Sequence, residues 1–465
     1  MRVCLLIPDG VGIRNYLYSD LIKILQQGGN QVVLWHSLDP QMIQIAENRL
    51  GVKFDQFPYV HRPNGVAAQL LRESGRYGRI RLNAKTKNNS TILTNWSRAS
   101  TSFKGKLLNY FAEKIGSRVK SYDRVSLIEE KGFKLLRSSK EYREAKKVLE
   151  EMKPDILFCT HQRVYSVTPA IEAAKALNIP TSTAIFSWDN LPKGRLPFRA
   201  DQYLVWSEYM KNELKDYYPD IEDKTIKVTG SPQFDFYFQK GLILDRKEFA
   251  DKFDLDIAKE WVCFSGCDTI TSPNDPQYLK DVGEALIDQS GIQLIFRPVP
   301  VEPLSRYLKV LEEYPEVRLI KPKWEKGDHW GSFFPLFEDI QLLVNLAFHC
   351  KVVINMGSTM ALDFITYGNV GLYLRYDHYK DVKSNWSVDT IYKFQHFRSM
   401  ENWKAVGFIY SKSEILPEIK RAIKAPDEVA PDRTKWFDKI VEPKKSESSA
   451  QRVADALISL ANTQS

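Results

Sequence analysis

Short apolar runs and longer amphipathic segments alternate along this chain. The run Arg2–Ile7 is mostly apolar and predicts a buried strand, and it is followed by a polar loop at 8–12. Residues 16–27 have helical spacing and end at Gly28-Gly29, and a second apolar run follows at 31–35. A strand, a helix and a strand in this order indicate the βαβ unit of a parallel sheet.

The same alternation returns twice further along the chain. It occupies residues 155–229 and, after Gly230-Ser231-Pro232, residues 261–374. We therefore predict an α/β protein with two Rossmann-like, doubly wound domains that face each other across a cleft. The predicted domains are 1–238, with a basic and helical insertion at about 54–153, then 239–435, and a tail at 436–465 whose last helix returns to the first domain.

Composition indicates a soluble globular protein. Of 465 residues, 43% are apolar and 27% are charged. No apolar run reaches the about 18 residues that a membrane-spanning helix needs, and the start MRVCLLIPDG is too short for a signal peptide. The five cysteines are an odd number and lie mostly in strand-like runs, which favours reduced thiols. We expect a cytoplasmic protein, peripheral on the inner face of the plasma membrane.

Positive charge is concentrated between residues 72 and 120. This stretch has twelve Lys and Arg residues against two Glu, in a chain of net charge +8, and it also contains five aromatic residues. Basic residues among aromatics suit an anionic membrane surface that holds a lipid-linked acceptor. A solvated surface loop is the alternative. We do not expect a nucleic-acid partner, because no recognition motif accompanies the charge.

Residues 345–363 form the most informative motif, in which a predicted strand runs into Gly357-Ser358-Thr359 at the start of a helix. Backbone N–H groups and the positive end of the helix dipole at such a start suit a phosphate. Asp363 lies one turn further on, where its carboxylate can accept a hydrogen bond from a ribose hydroxyl. The alternative is an ordinary N-cap with Asp363 on a solvated face.

Five motifs resemble the GT-B superfamily of nucleotide-sugar glycosyltransferases, and more narrowly the bacterial surface-polysaccharide transferases related to CDP-glycerol glycerophosphotransferases. They are IPDGVGIRNYL (7–17), FSWDNLPKG (186–194), VTGSPQFD (228–235), FRPVP (296–300) and INMGSTMALD (354–363). The resemblance implies that the second domain binds the donor nucleotide. Gly357, Ser358 and Thr359 would then hold the diphosphate, and Asp363 the ribose.

Two further strand ends are expected to bind the donor. The guanidinium of Arg297 can form a bidentate pair of hydrogen bonds with a phosphate and stabilise the leaving diphosphate. Ser265 and Gly266 end another strand and form a second loop for phosphate. Relatives tend to have a histidine where this chain has Val299. The resemblance implies neither a bound metal nor a cofactor, with the nucleotide-sugar as substrate.

The catalytic base should come from the first domain. Asp9 follows the first strand directly, and His161 follows a later strand, so each is a candidate. A turn-forming Asp and a structural His are the alternatives. For acceptor binding we predict the loop residues Gly10, Gly12, Asn15, Asp189 and Asn190. His329 and Trp330, in a loop of the second domain, are candidates for stacking on a base or sugar.

The leading functional hypothesis is a glycosyltransferase that moves a sugar from a nucleotide-sugar to a lipid-linked or polysaccharide acceptor in bacterial surface glycan synthesis. Inversion is favoured because a Glu pair seven residues apart, typical of many retaining relatives, is absent at the matching place. The alternatives are a polyol-phosphate transferase of the CDP-glycerol type, a GT-B epimerase that transfers nothing, and a non-catalytic protein that binds polyanions or a membrane.

Overall fold

The computed structural model describes residues 1–97, 102–326, 333–378, 386–443 and 447–464. The chain divides into two compact units. The first consists of Met1–Asp235, Glu325–Phe334 and Ile440–Ser465, and the second of Phe236–Trp324 and Pro335–Lys439. Each unit is a Rossmann-like α/β domain built on a parallel sheet, as the sequence predicts.

The sheet of the first unit has the order β3-β2-β1-β4-β5-β6-β7, and neighbouring strands are parallel. Its strands are β1 (Arg2–Ile7), β2 (Gln31–His36), β3 (Asp55–Pro58), β4 (Ile156–Cys159), β5 (Thr181–Ala184), β6 (Gln202–Val205) and β7 (Ile226–Val228). The central strands β1 and β4 are almost entirely buried, which explains their near-continuous apolar sequence.

Helices of the first unit cover this sheet and form the predicted insertion. They are α1 (Leu21–Gln27), α2 (Pro40–Leu50), α3 (Val66–Thr86), α4 (Phe103–Ser117), α5 (Tyr122–Leu136), α6 (Lys140–Met152), α7 (Thr168–Ala176), α8 (Glu208–Tyr217) and α9 (Pro232–Asp235). The insertion at about 54–153 is therefore largely helical rather than a solvated loop. Its helices α3 and α4 approach closely at Gly116, where an added Cβ would lie 2.6 Å from the carbonyl oxygen of Ser74.

The sheet of the second unit has the order β10-β9-β8-β13-β14-β15. Its strands are β8 (Glu260–Ser265), β9 (Ile292–Arg297), β10 (Arg318–Leu319), β13 (Val352–Asn355), β14 (Val370–Leu374) and β15 (Gly407–Ile409), and a separate two-stranded pair is formed by β11 (Trp324–Lys326) and β12 (Phe333–Pro335).

The remaining helices follow in chain order. They are α10 (Arg246–Phe253), α11 (Asp275–Leu286), α12 (Leu308–Glu313), α13 (Phe337–His349), α14 (Met360–Ile365), α15 (Val388–Tyr392), α16 (Ile415–Lys424), α17 (Pro426–Val429), α18 (Arg433–Val441) and α19 (Ser449–Gln464). The predicted helix at 16–27 was wrong in detail, because a π-helical turn at Ile13–Leu17 precedes α1.

The last helix, α19, belongs to the first unit and packs against α1 and β4, as predicted. Asp235, the last residue of the motif at 228–235, binds the N-terminus of α19. The carboxylate oxygens of Asp235 accept hydrogen bonds from the backbone N–H groups of Ser449 and Ala450, each at 2.9 Å. This motif therefore has an architectural role, in which one carboxylate caps the helix that closes the first unit.

Candidate active site

The strand order of both sheets defines where a ligand can bind. In each sheet the order reverses direction beside the first strand of the unit, between β1 and β4 in the first unit and between β8 and β13 in the second. Ligands of open α/β sheets bind at such a switch point, beyond the carboxyl ends of the strands. The predicted residues Asp9 and His161 follow β1 and β4, and Ser265 and Gly357 lie at or after the ends of β8 and β13.

Asp9 and His161 form a buried pair at the switch point of the first unit. The Nδ1 atom of His161 lies 2.7 Å from Oδ2 of Asp9, and the two residues are 8% and 5% exposed. Oδ1 of Asp9 accepts a hydrogen bond of 3.1 Å from the backbone N–H of Val11. Asp9 is acceptor-only when ionised, so Nδ1 of His161 is the donor, and in the neutral form of the ring Nε2 carries a lone pair. Nε2 is buried and has no hydrogen-bond partner among the described residues.

Two residues that the sequence did not single out hold this pair in place. The ring of Phe186 packs edge-on against the imidazole of His161, with centroids 4.6 Å apart. His61 lies behind the loop, where its Nε2 atom is 2.6 Å from the carbonyl oxygen of Pro8, directly before Asp9. Its Nδ1 atom is 2.7 Å from the hydroxyl of Ser166, so both ring nitrogens of His61 are engaged. The pair is therefore fixed by packing and by a second layer of hydrogen bonds.

The glycines of the first loop are explained by close packing within the protein. A Cβ at Gly10 would lie 2.5 Å from the backbone oxygen of Phe333, and one at Gly12 would overlap the hydroxyl of Thr160. Close packing alone accounts for these glycines, and acceptor binding at this loop stays a prediction. Asn15 is buried in the π-helical turn, and its Oδ1 atom has no hydrogen-bond partner among the described residues.

Asp189 and Asn190 lie after β5, the next strand of the same sheet edge. Oδ1 of Asp189 accepts hydrogen bonds from the hydroxyl of Ser187 at 2.6 Å and from the side-chain amide of Asn190 at 3.0 Å. Lys193 forms an ion pair with the other oxygen. These contacts are those of a local turn, and acceptor binding by either residue stays a prediction.

In the second unit, the predicted donor residues come from three neighbouring strands. Ser265 pairs with Arg297 in the register of β8 and β9, and β13 lies on the other side of β8. The backbone N–H of Gly266 donates to the carbonyl of Arg297 at 2.9 Å. A Cβ at Gly266 would meet the hydroxyl of Tyr307 at 3.1 Å, so this glycine also packs against protein atoms.

Arg297 is buried and forms an ion pair that the sequence did not predict. Its Nη2 atom donates to both carboxylate oxygens of Asp339, at 3.2 and 3.0 Å. Asp339 also accepts hydrogen bonds from the backbone N–H of Lys323 and from the indole N–H of Trp324. The Nε atom of Arg297 is buried without a partner among the described residues. Part of this guanidinium therefore has an internal partner, and phosphate binding by Arg297 stays a prediction.

The motif at 354–363 has the predicted strand–loop–helix order with a shorter helix. Gly357 has a positive φ of 69°, and the side-chain oxygen of Asn355 accepts a hydrogen bond of 2.8 Å from the N–H of Ser358. The hydroxyl of Ser358 accepts one from the N–H of Met360 at 3.3 Å. Helix α14 begins at Met360 rather than at Ser358, and Ser358, Thr359 and Asp363 are half-buried.

The basic stretch from 72 to 120 is not one surface. The side chain of Arg79 is fully buried, donates to the carbonyl of Tyr217 at 2.7 Å and pairs with Glu129 at 2.8 Å. Arg72 and Arg76 line a pocket, whereas the basic residues of α4 are exposed. Arg98 lies outside the described residues, as do His329 and Trp330.

Among the residues that the structure describes, no cluster of three or more His, Cys, Asp or Glu side chains has an arrangement that could hold a metal ion. Within the same ranges, none of the helices combines the length and hydrophobicity needed to cross a bilayer. All five cysteines are buried free thiols.

Comparison with known proteins supports the fold. No family model matches the chain, and no curated protein matches it. Solved structures with the same fold include the UDP-GlcNAc 2-epimerase of Neisseria meningitidis bound to UDP-GlcNAc, with a TM-score of 0.53, 12% identity, and 100% of each chain covered. Another is the UDP-GlcNAc 2-epimerase of Methanocaldococcus jannaschii in complex with UDP-GlcNAc and UDP, with a TM-score of 0.51, 13% identity, and coverage of 99% of this chain and 100% of that chain.

A third is MnaA of S. aureus with UDP, with a TM-score of 0.51, 10% identity, and coverage of 99% of this chain and 97% of that chain. At these identities the similarity shows the fold alone. The chain has the two-domain GT-B type of fold, with one Rossmann-like parallel sheet in each unit.

Proposed function

We propose that this protein is a glycosyltransferase that moves a sugar from a nucleotide-sugar to a hydroxyl group of its acceptor, with His161 as the general base. The observation that supports this most strongly is the Asp9–His161 pair, buried at the switch point between β1 and β4. An imidazole whose tautomer is fixed by a carboxylate is the arrangement that removes a proton from a hydroxyl at neutral pH.

The proposed reaction proceeds in one displacement. The acceptor hydroxyl gives its proton to Nε2 of His161 as its oxygen attacks the anomeric carbon. The bond between that carbon and the diphosphate oxygen breaks, and the nucleoside diphosphate leaves with the electron pair. Asp9 stabilises the imidazolium that forms, since its carboxylate lies 2.7 Å from Nδ1. This displacement inverts the anomeric centre and needs no metal or cofactor from the protein.

The second unit is the proposed donor site. Ser265, Gly266, Arg297 and the Gly357–Asp363 segment gather at the carboxyl edge of β8, β9 and β13, where open α/β sheets bind nucleotides. The two epimerases with the same fold were solved with UDP-GlcNAc, one of them also with UDP, which supports a nucleotide as the ligand here.

The proposed acceptor is lipid-linked and is presented at an anionic membrane surface, for bacterial surface glycan synthesis as the motifs imply. Helix α4 supports this choice. It exposes Phe103, Leu107, Tyr110 and Phe111, and Phe103 is 79% exposed. Exposed basic side chains on the same helix include Lys104, Lys106 and Lys114. Aromatic and basic residues together on one helix suit a surface of anionic lipid headgroups.

An epimerase that acts on a nucleotide-sugar is the second candidate, because solved epimerases share the fold. The two functions differ in their products. A transferase releases a nucleoside diphosphate only when an acceptor is present, whereas an epimerase changes the sugar and keeps the nucleotide-sugar intact. The helical insertion with its exposed α4 favours transfer, since an epimerase has no acceptor to collect from a membrane.

The test begins with a thermal-shift panel of UDP, GDP, CDP, dTDP and ADP, which names the donor. Turnover of the matching nucleotide-sugar is then compared between the wild type and His161→Asn, in which the amide can still donate to Asp9. We expect a loss of about 10²- to 10⁴-fold in kcat with an unchanged nucleotide shift. The loss in kcat of Asp9→Asn should lie in the same range. An amide opposite Nδ1 can donate to it and so favours the tautomer that carries its proton on Nε2.

His36→Asn is the matched control. His36 ends β2 on the same sheet edge and is buried, but both of its ring nitrogens have partners, Gln56 at 3.3 Å and the N–H of Leu38 at 3.1 Å. We expect it to change kcat by less than about threefold. Full turnover in His161→Asn would refute the assignment of the base, and interconversion of the sugar without release of a nucleoside diphosphate would favour the epimerase.

A further inference from the structure

An arginine-lined pocket of about 210 Å³ lies in the first unit, apart from the Asp9–His161 pair. Four arginines line it, two from α3 and two from the loops that follow β4 and β5. They are Arg72, Arg76, Arg163 and Arg195. Arginines that converge on one cavity repel each other, so this arrangement is costly unless an anion joins them.

The acidic residues of the pocket compensate only part of this positive charge. Glu73 bridges Arg72 and Arg76, at 2.9 and 3.3 Å. Glu129 is engaged by Arg79 and Arg199 at 2.8 and 2.7 Å, outside the set of four.

Arg163 and Arg195 form no ion pair with any residue that the structure describes. Burial lowers the pKa of the Arg163 guanidinium, which shows that its positive charge is poorly compensated.

The rest of the lining shows what kind of anion fits. Apart from Glu73 and Glu129, the lining contains no acidic side chain, and the apolar side chains of Ala68, Phe133, Leu136 and Leu196 complete the wall. A ligand with a phosphoryl group and an adjoining apolar part matches both halves of this lining.

The pocket is also close to the proposed base along the chain. Arg163 follows His161 by two residues, and its guanidinium lies 5.9 Å from the ring centroid of Phe186, the same ring that packs against His161. A phosphate held by Arg163 would therefore lie near the aromatic ring that packs against the proposed base.

We propose that this pocket binds the phosphate or diphosphate group of the acceptor. The identification of the ligand as the acceptor rests on the proposed function. The identification of a phosphate group rests on the lining of the pocket itself. A lipid-linked phosphate and a water-soluble phosphorylated glycan share this chemistry, and the experiment separates them.

The experiment measures binding of three probes by calorimetry: inorganic pyrophosphate, farnesyl diphosphate and farnesol. The variants are Arg195→Met and the double variant Arg163→Met/Arg195→Met; the Arg195 side chain is exposed and forms no ion pair with a residue that the structure describes. Arg81→Met is the matched control, because Arg81 is on α3, is exposed and donates to the carbonyl of Ser117 rather than to the pocket.

We expect each pocket substitution to weaken binding of the diphosphates about tenfold, with Arg81→Met within about twofold of wild type. Tighter binding of farnesyl diphosphate than of pyrophosphate identifies a lipid-linked acceptor, and equal binding identifies a water-soluble one. An affinity for both diphosphates that is unchanged in the double variant, or no binding of either diphosphate to the wild type, overturns the proposal. Farnesol alone should not bind.

The outcome is separable from that of the proposed function. If transfer is observed and the double variant keeps the wild-type KM for the acceptor, the pocket assignment fails and the glycosyltransferase stands. If diphosphates bind through Arg163 and Arg195 but no nucleotide-sugar is turned over, the glycosyltransferase fails, and the pocket stands as a phosphate site.

Discussion

Glu213 offers the sharpest test of the energetics of the first unit. It lies on α8, is only 4% exposed, and burial raises the pKa of its carboxyl to about 8 despite the nearby Lys87. In the unfolded chain the same group has a pKa of 4.5. Glu213→Gln keeps the shape of the side chain and removes the titration.

The sign of the effect follows from the protons bound in each state. Between the two pKa values the folded protein retains a proton that the unfolded chain has released. The free energy of unfolding therefore falls as the pH rises, by about 1.4 kcal/mol per pH unit. From pH 5 to pH 7 this group alone should lower the free energy of unfolding of the wild type by about 2.5 kcal/mol. The decrease continues until the pH passes about 8.

The assay is denaturant unfolding of wild type and Glu213→Gln at pH 5, 6, 7 and 8. We expect the difference in the free energy of unfolding between the variant and the wild type to shift in favour of the variant by about 2.5 kcal/mol between pH 5 and pH 7. Glu208→Gln, an exposed position on the same helix, removes the same charge and should show no comparable trend. A difference between Glu213→Gln and wild type that stays constant with pH would refute the argument.

Two further predictions concern Arg297 and α4. Asp339→Asn leaves the buried guanidinium of Arg297 without its carboxylate, so we expect a loss of about 3–5 kcal/mol in the free energy of unfolding, and a loss below about 1 kcal/mol would contradict the pairing. Phe103→Ser/Phe111→Ser should abolish sedimentation with vesicles rich in anionic lipid while leaving the melting temperature within about 2 °C, since both rings are exposed; unchanged sedimentation would exclude α4 as the membrane contact.

The fold was largely predictable from sequence because its signals are local. Apolar runs such as those of β1 and β4 are nearly continuous, since parallel strands are buried on both faces. The π-helical turn at Ile13–Leu17 was missed because its residues have the same apolar character as an α-helix, and only the hydrogen bonds differ. The exact start of α14 was missed because Ser358 and Thr359 are both acceptable caps.

The candidate site was predictable residue by residue, but its contacts were not. Asp9 and His161 were separate candidates because each follows an apolar strand, and 152 residues separate them along the chain. Only the strand order places β1 beside β4 and joins the two side chains. The arginine pocket escaped detection because it combines α3 with two distant loops, and periodicity does not reveal which loops a helix face meets.

The partner of the Arg297 guanidinium could not be predicted from the sequence. A strand-end arginine can serve a phosphate or an internal carboxylate, and the second partner, Asp339, lies 42 residues away on α13. The two roles are physically compatible, because Asp339 holds Nη2 while Nε remains buried and unpaired among the described residues. A guanidinium held on one edge loses less entropy when an anion binds at another edge. Asp339 therefore defines the orientation in which Arg297 would meet a diphosphate, and a loss of nucleotide affinity in Asp339→Asn beyond its loss of stability would reveal that second role.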